Sequence, residues 1–94
     1  MENPEIARVF HEIADLLEIK GGDVFRIRSY RNAGLVVEGL SESLRSLYEK
    51  KGEEGLKHIP GIGESTRAKV IEMLTNCRCS YHDELLKEIP AGML

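Results

Sequence analysis

Ile6, Val9, Phe10, Ile13, Leu16 and Leu17 recur every three or four residues near the start of the chain. That spacing puts all six on one side of a helix and obliges the chain to bury the stripe against other elements. Asn3-Pro4-Glu5 opens the segment with a cap, a proline at the first helical position and an acid in the first turn. Gly21-Gly22 closes it. Asp23 caps a second predicted helix running to about Gly39, with Val24, Ile27, Gly34 and Val37 inward. A third, capped by Ser41, buries Leu44, Leu47 and Tyr48 and ends in Lys50-Lys51-Gly52, cations at the negative helix end before a capping glycine. A short turn of helix around Glu54 to His58 leads to a further helix over Glu64 to Thr75. Ser80 with Asp83 reads as a capping box for a last helix that buries Leu85, Leu86 and Ile89 before Pro90. No stretch alternates with period two between hairpin signals, so the expected fold is all-α, a compact bundle of about five helices.

At 94 residues the chain has room for one domain with a modest core. No run approaches the roughly 18 apolar residues of a membrane span. The first ten residues, MENPEIARVF, carry acid where a secretory signal carries positive charge. Cys77 and Cys79 are one residue apart, which disfavours a disulfide between them. Reduced thiols and a cytoplasmic location are expected. The net charge of −3 conceals a polarised chain: Glu2, Glu5, Glu12, Asp15 and Glu18 precede a stretch with Arg26, Arg28 and Arg31 against only Asp23. A basic face of that kind is compatible with nucleic acid. Asp15, Asp23 and Asp83 are the only aspartates and stand singly, so a two-metal nucleotidyl-transfer site is not expected. Cys77, Cys79 and His82 form a C-x-C-x-x-H string, but zinc asks for a fourth ligand, His58 or Asp83, from elsewhere. Small packing residues are the better expectation for the cysteines, and His11 falls at the edge of the first helix's apolar stripe.

The segment LKHIPGIGESTRAKVIEML, Leu56 to Leu74, reads as helix, hairpin, helix. Gly61 and Gly63 permit a close turn, and Ile62 between them can plug the gap between the helices. The amides of Gly61, Gly63 and Ser65 then lie at the positive end of the following helix, where no helical partner exists for them. Such donors suit a phosphate oxygen, and glycine lets a nucleic-acid backbone approach. Recognition of that kind reads phosphate and not sequence. The alternative is a plain turn in which the glycines serve only close packing.

Taken together, FRIRSYRNAG and HIPGIG resemble the amino-terminal domain of family X DNA polymerases, in particular the bacterial and archaeal members. IARVFHEIADLLEIKGGDVFRIRSYRNAG is similar to that domain's first two helices, and CRCSYHDELLKEIPAGML to the segment leading to the next hairpin. The resemblance implies a single DNA-binding domain over residues 1–94, the start of a longer polymerase that needs Mg, and AGML at the end looks cut from something longer. It implies gapped or nicked DNA as partner, held on the 5′-phosphate side during repair synthesis. Arg26 falls at a family position for phosphate and Tyr30 at that of a helping tyrosine; as i and i+4 they share a helix face. Arg28 and Arg67 add basic character. The main-chain carbonyls of Lys57, Ile59 and Ile62 match a hairpin that holds a monovalent cation, K or Na, and no other cofactor is implied for this piece. Lys69 matches the Schiff-base lysine of members with 5′-deoxyribose-phosphate lyase activity, an alternative function that needs a neutral amine and neighbouring cations such as Arg67, Arg26 or Arg28. A third alternative is a helical protein-interaction module. The chain departs from the family with Ser65 for a lysine, Thr66 for an aliphatic residue, Arg67 for an alanine and Cys77 for a glycine.

Overall fold

The computed structural model describes residues 1–89; Pro90 and AGML, at residues 90–94, lie outside the described residues. Five α-helices follow one another: α1 Asn3–Lys20, α2 Val24–Gly39, α3 Leu44–Lys51, α4 Glu64–Asn76 and α5 Ser80–Glu88, with a 3-10 turn Gly52–Leu56 after α3. The described residues contain no strand, in agreement with the all-α expectation. No described helix is long and apolar enough to cross a membrane.

The helix α1 is the central element, and every residue of its apolar stripe is buried. Phe10, Ile6 and Ile13 meet Val37 of α2, Leu44 of α3, Leu56 of the 3-10 turn, and Val70 and Met73 of α4 in one core. The pairing of α1 with α2 depends on Gly34, where a Cβ would come within 2.6 Å of the His11 imidazole. Gly21 ends α1 at φ 77°, in the left-handed region, and its N–H donates to the Glu18 carbonyl. Asp23 caps α2 as expected, its carboxylate accepting from the Phe25 amide at 3.0 Å.

Several expectations need correction. Asn3 does not cap α1: the cap is Glu2, without a side-chain bond. Its carboxamide reaches across to α3, accepting from the Leu44 amide at 2.9 Å and donating to the Glu42 carbonyl at 3.0 Å. That tie sets the start of α3 two residues later than expected, with Ser43 as cap in place of Ser41 and its hydroxyl accepting from the Ser46 amide at 3.3 Å. Ser80 and Asp83 form no capping box; Asp83 pairs with Arg78, and the first amide of α5 donates to the Glu72 carboxylate of α4. Val24 and Leu86 face outward, at 56% and 37% exposure, because their neighbours Ile27 and Leu85 fill the inner face.

Candidate nucleic-acid interface

The hairpin between the 3-10 turn and α4 is closed by one bond, from the Ile62 amide to the Ile59 carbonyl at 3.2 Å. Ile62 is buried beneath it, as its place between two glycines suggested. The two glycines differ in kind. Gly61 sits at φ 89°, and a Cβ there would come within 2.6 Å of Val36 Cγ2 and 2.9 Å of Asn32 Nδ2. Its bare backbone therefore lets the hairpin lie on α2. Gly63 is the cap of α4 at φ −86°, ψ −174°, where any residue fits, and a Cβ would meet nothing within 4 Å. No intramolecular packing calls for glycine at that position.

The first bond into α4 runs from the Arg67 amide to the Gly63 carbonyl at 2.8 Å. The amides of Glu64, Ser65 and Thr66 precede it and find no acceptor among the described residues, nor do those of Gly61 and Gly63. The free donors are thus the first turn of α4 together with the two glycines, a broader set than the three amides expected. Thr66 is buried and spends its hydroxyl on the Gly63 carbonyl at 3.2 Å, a bond an aliphatic residue lacks. The carbonyls of Lys57 and Ile62 carry no hydrogen bond among the described residues, and that of Ile59 carries only the hairpin bond. Three carbonyls on one short loop with spare lone pairs suit a hard cation. The Lys57 ammonium is directed elsewhere, to Glu54 at 2.8 Å.

One turn along α4, Lys69 Nζ lies 3.2 Å from Ser65 Oγ and over two aromatic rings, 5.0 Å from the centre of Tyr81 and 5.6 Å from that of Tyr30. The two rings are stacked, with centroids 5.9 Å apart and planes 26° apart. Tyr30 is buried, its other side 6.1 Å from Phe10 of α1. Arg26 Nη1 stands 3.5 Å from the Tyr81 hydroxyl, at the outer limit of a hydrogen bond. Helices α2, α4 and α5 therefore bring Arg26, Tyr30, Ser65 and Lys69 together with Tyr81. Sequence reasoning missed Tyr81, because only its aromatic ring sets it apart at the start of a short helix.

Most of the arginines around this cluster are neutralised. Arg8, Lys20, Arg31, Arg45, Lys57, Arg67 and Arg78 each pair with a carboxylate. Arg26 and Lys69 have no such partner among the described residues, nor do Arg28, Lys50, Lys51 and Lys87, but Arg26 and Lys69 are the two that converge on Tyr81. Glu72, three residues from Lys69, turns instead to the amide and hydroxyl of Ser80. Arg28 is exposed but lies on another side of α2, beside Glu18, Val24 and Ile27. Arg31 is bound to Glu18 and, at 3.0 Å, to Asp15; its hydrogen bond to Glu18, then that to Asp15, push the guanidinium pKa up. Arg67 is directed away from Lys69: its side chain is 15% exposed, with Nε 3.5 Å from Glu53 but not aligned for a hydrogen bond.

The C-x-C-x-x-H string does not converge. Cys79 is buried and Cys77 is exposed, while His82 bonds Glu12 of α1 at 2.8 Å. Burial pushes the Cys79 thiol up, against the thiolate a metal requires. No group of three or more His, Cys, Asp or Glu side chains suited to a metal occurs among the described residues.

The family model for a helix-hairpin-helix domain matches residues 1–79, and the chain belongs to that family. Over its whole length it is 27% identical to "DNA polymerase/3'-5' exonuclease PolX" of Bacillus subtilis (strain 168), of which it spans 15%. That relative bears the name of the polymerase family that FRIRSYRNAG and HIPGIG resemble.

Proposed function

We propose that residues 1–94 form a single domain that binds gapped or nicked DNA through its phosphates, on the 5′-phosphate side, as the first part of a longer repair polymerase. The observation that carries this reading is the Arg26–Lys69 pair. Two cations without carboxylate partners among the described residues meet at Tyr81, and one of them, Lys69, reaches Ser65 in the first turn of α4, where the amides are unbonded, in a chain whose net charge is −3. Donors of both kinds select phosphate, and neither reads a base. The name of the Bacillus relative supports DNA as the ligand and a polymerase as the parent. The carbonyls of Lys57, Ile59 and Ile62 would hold a monovalent cation between hairpin and phosphate. NMR titration with 5′-phosphorylated gapped DNA should shift the amides from Gly61 to Thr66, with affinity falling as salt rises. Unmoved amides overturn the reading, and binding indifferent to salt favours a protein-interaction module.

A second reading, 5′-deoxyribose-phosphate lyase chemistry, is favoured by one observation: Lys69 is half-buried and has no carboxylate partner among the described residues. Its amine would condense with the sugar aldehyde, releasing water to form an imine that borohydride traps. An adduct on abasic DNA that disappears in Lys69→Ala supports the enzyme, and no adduct with the unaltered chain excludes it.

A further inference from the structure

We propose that the outer face of α2 is a docking surface for an acidic amphipathic helix of another protein, on the side of α2 turned away from Arg26. None of its residues carries the phosphate reading, so the two stand independently.

The three most exposed large apolar side chains among the described residues, Phe25, Leu35 and Val24, all belong to α2. Val24, Arg28, Arg31 and Leu35 follow one another at steps of four, three and four residues, which sets them in one row along the helix. The row covers three turns, about 16 Å. Between its apolar ends stand the methylene stems of the two arginines. The Arg31 guanidinium is drawn aside to Asp15 and Glu18 of α1, so its charge is already neutralised. Arg28 is exposed and has no carboxylate partner among the described residues, which leaves it as the free charge of the row. Val24, Ile27, Arg28 and Arg31, with Glu18 of α1, line a cavity of about 300 Å³ beside the row. It has room for one apolar side chain of a partner.

An occupant has to cover apolar groups and meet one positive charge. A nucleic-acid backbone supplies anions, but it leaves Val24 and Leu35 against phosphates with no apolar area to bury. A second copy of the row, paired with the first about a two-fold axis, fits no better. The row is centred between Ser29 and Tyr30, so that pairing brings the two Arg28 side chains within roughly 5 Å of each other along the axis, and like charges oppose it. A helix with apolar side chains three and four residues apart and a carboxylate beside them answers both demands. One apolar anchor enters the cavity, its neighbours cover Val24 and Leu35, and the carboxylate reaches Arg28. Arg26 lies two residues from Arg28, about 160° away around the helix, so the partner leaves the phosphate-binding side open.

The test uses two synthetic helical peptides of roughly five turns with leucine at i, i+4, i+7 and i+11, one with glutamate at the flanking positions and the other with lysine. In methyl-detected NMR of the unaltered chain, the glutamate peptide should move the Val24 and Leu35 methyl signals and the lysine peptide should not. Leu35→Asp should weaken the glutamate peptide roughly tenfold and leave the affinity for gapped duplex unchanged. Arg28→Glu should reject the glutamate peptide and admit the lysine one. Both side chains are exposed, so neither substitution disturbs the core. Binding of neither peptide, equal binding of both, or an Arg28→Glu variant that keeps the original preference overturns the inference. So does gapped DNA that moves the same two methyl signals, which assigns the face to nucleic acid. Self-association of the unaltered chain in sedimentation, abolished by Leu35→Asp, assigns it to a second copy and overturns the inference as well.

Discussion

Gly61 and Gly63 stand two residues apart, yet alanine at each should have opposite consequences. At Gly61 the methyl group enters a left-handed backbone, φ 89°, which costs roughly 1–2 kcal/mol. It also comes within 2.6 Å of Val36 Cγ2, and forced overpacking costs roughly 1–3 kcal/mol more. The sum, roughly 2–5 kcal/mol, is a large part of the stability of a small domain, on the order of 5–15 kcal/mol. At roughly 4–8 °C per kcal/mol the melting temperature of Gly61→Ala should fall by on the order of 10–40 °C. At Gly63 the backbone is extended and the space empty, so alanine should change stability by only about 0.5 kcal/mol. The methyl group would instead project beside the unbonded amides, where the proposed phosphate would approach. DNA affinity should drop about tenfold with the fold intact. Thermal unfolding followed by circular dichroism gives the first quantity, and fluorescence anisotropy on gapped duplex, well below the midpoint, gives the second. If Gly63→Ala melts as early as Gly61→Ala and its folded fraction binds DNA normally, the division of labour between the glycines is wrong.

Other outcomes follow from single contacts. Cys77 ends α4 at φ 58°, so Cys77→Gly should raise stability by about 1 kcal/mol in urea unfolding. Glu72→Ala removes the acceptor for the first amide of α5 and should lower stability by about 1 kcal/mol, with the loss of hydrogen-exchange protection concentrated in Ser80–Glu88. Burial pushes the Glu12 carboxyl up, but hydrogen bonds from His82 and Arg8 outweigh it and hold its pKa below the usual range. A depressed carboxyl binds fewer protons folded than unfolded. Its contribution is therefore complete above the ordinary carboxylate range and is lost as pH falls through the folded value. The urea midpoint should decline between about pH 6 and about pH 3, and less steeply in Glu12→Gln. Replacing potassium by tetramethylammonium at constant ionic strength should weaken DNA binding severalfold; unchanged affinity excludes the cation at the Lys57, Ile59 and Ile62 carbonyls.

The features legible in the sequence are those a helix decides locally. The buried stripe of α1, the cap at Asp23 and the hairpin with Ile62 inward follow from spacing and side-chain chemistry. The failures come from contacts between residues far apart in the chain. Ser41 and Ser43 are equally good caps by local rules, and Asn3, on another helix, selects the second by taking the Leu44 amide. Ser80 and Asp83 have capping-box spacing, yet Glu72 of the neighbouring helix occupies the amide first. Val24 belongs to α2, which carries apolar side chains on all sides, so periodicity could not say which face turns inward. The site divides in the same manner. Arg26 and Tyr30 share a helix face and were readable as a pair, whereas Arg67 was drawn toward Glu53 and Tyr81 was brought in by the docking of α5.

Phe10, Tyr30 and Tyr81 form a continuous row of rings from the centre of the core to the half-buried edge beside Lys69. The chain has no tryptophan and only three tyrosines, so two of the three belong to this row. Ultraviolet absorption and emission of the unlabelled protein are therefore dominated by chromophores at the proposed phosphate receptor. A ligand that touches Tyr81 reports itself through the native spectrum, without a dye, and exciton coupling between the stacked rings makes near-ultraviolet dichroism the sensitive channel. The same row makes Phe10, at the far end, a position from which a core substitution alters the optical signal of the surface.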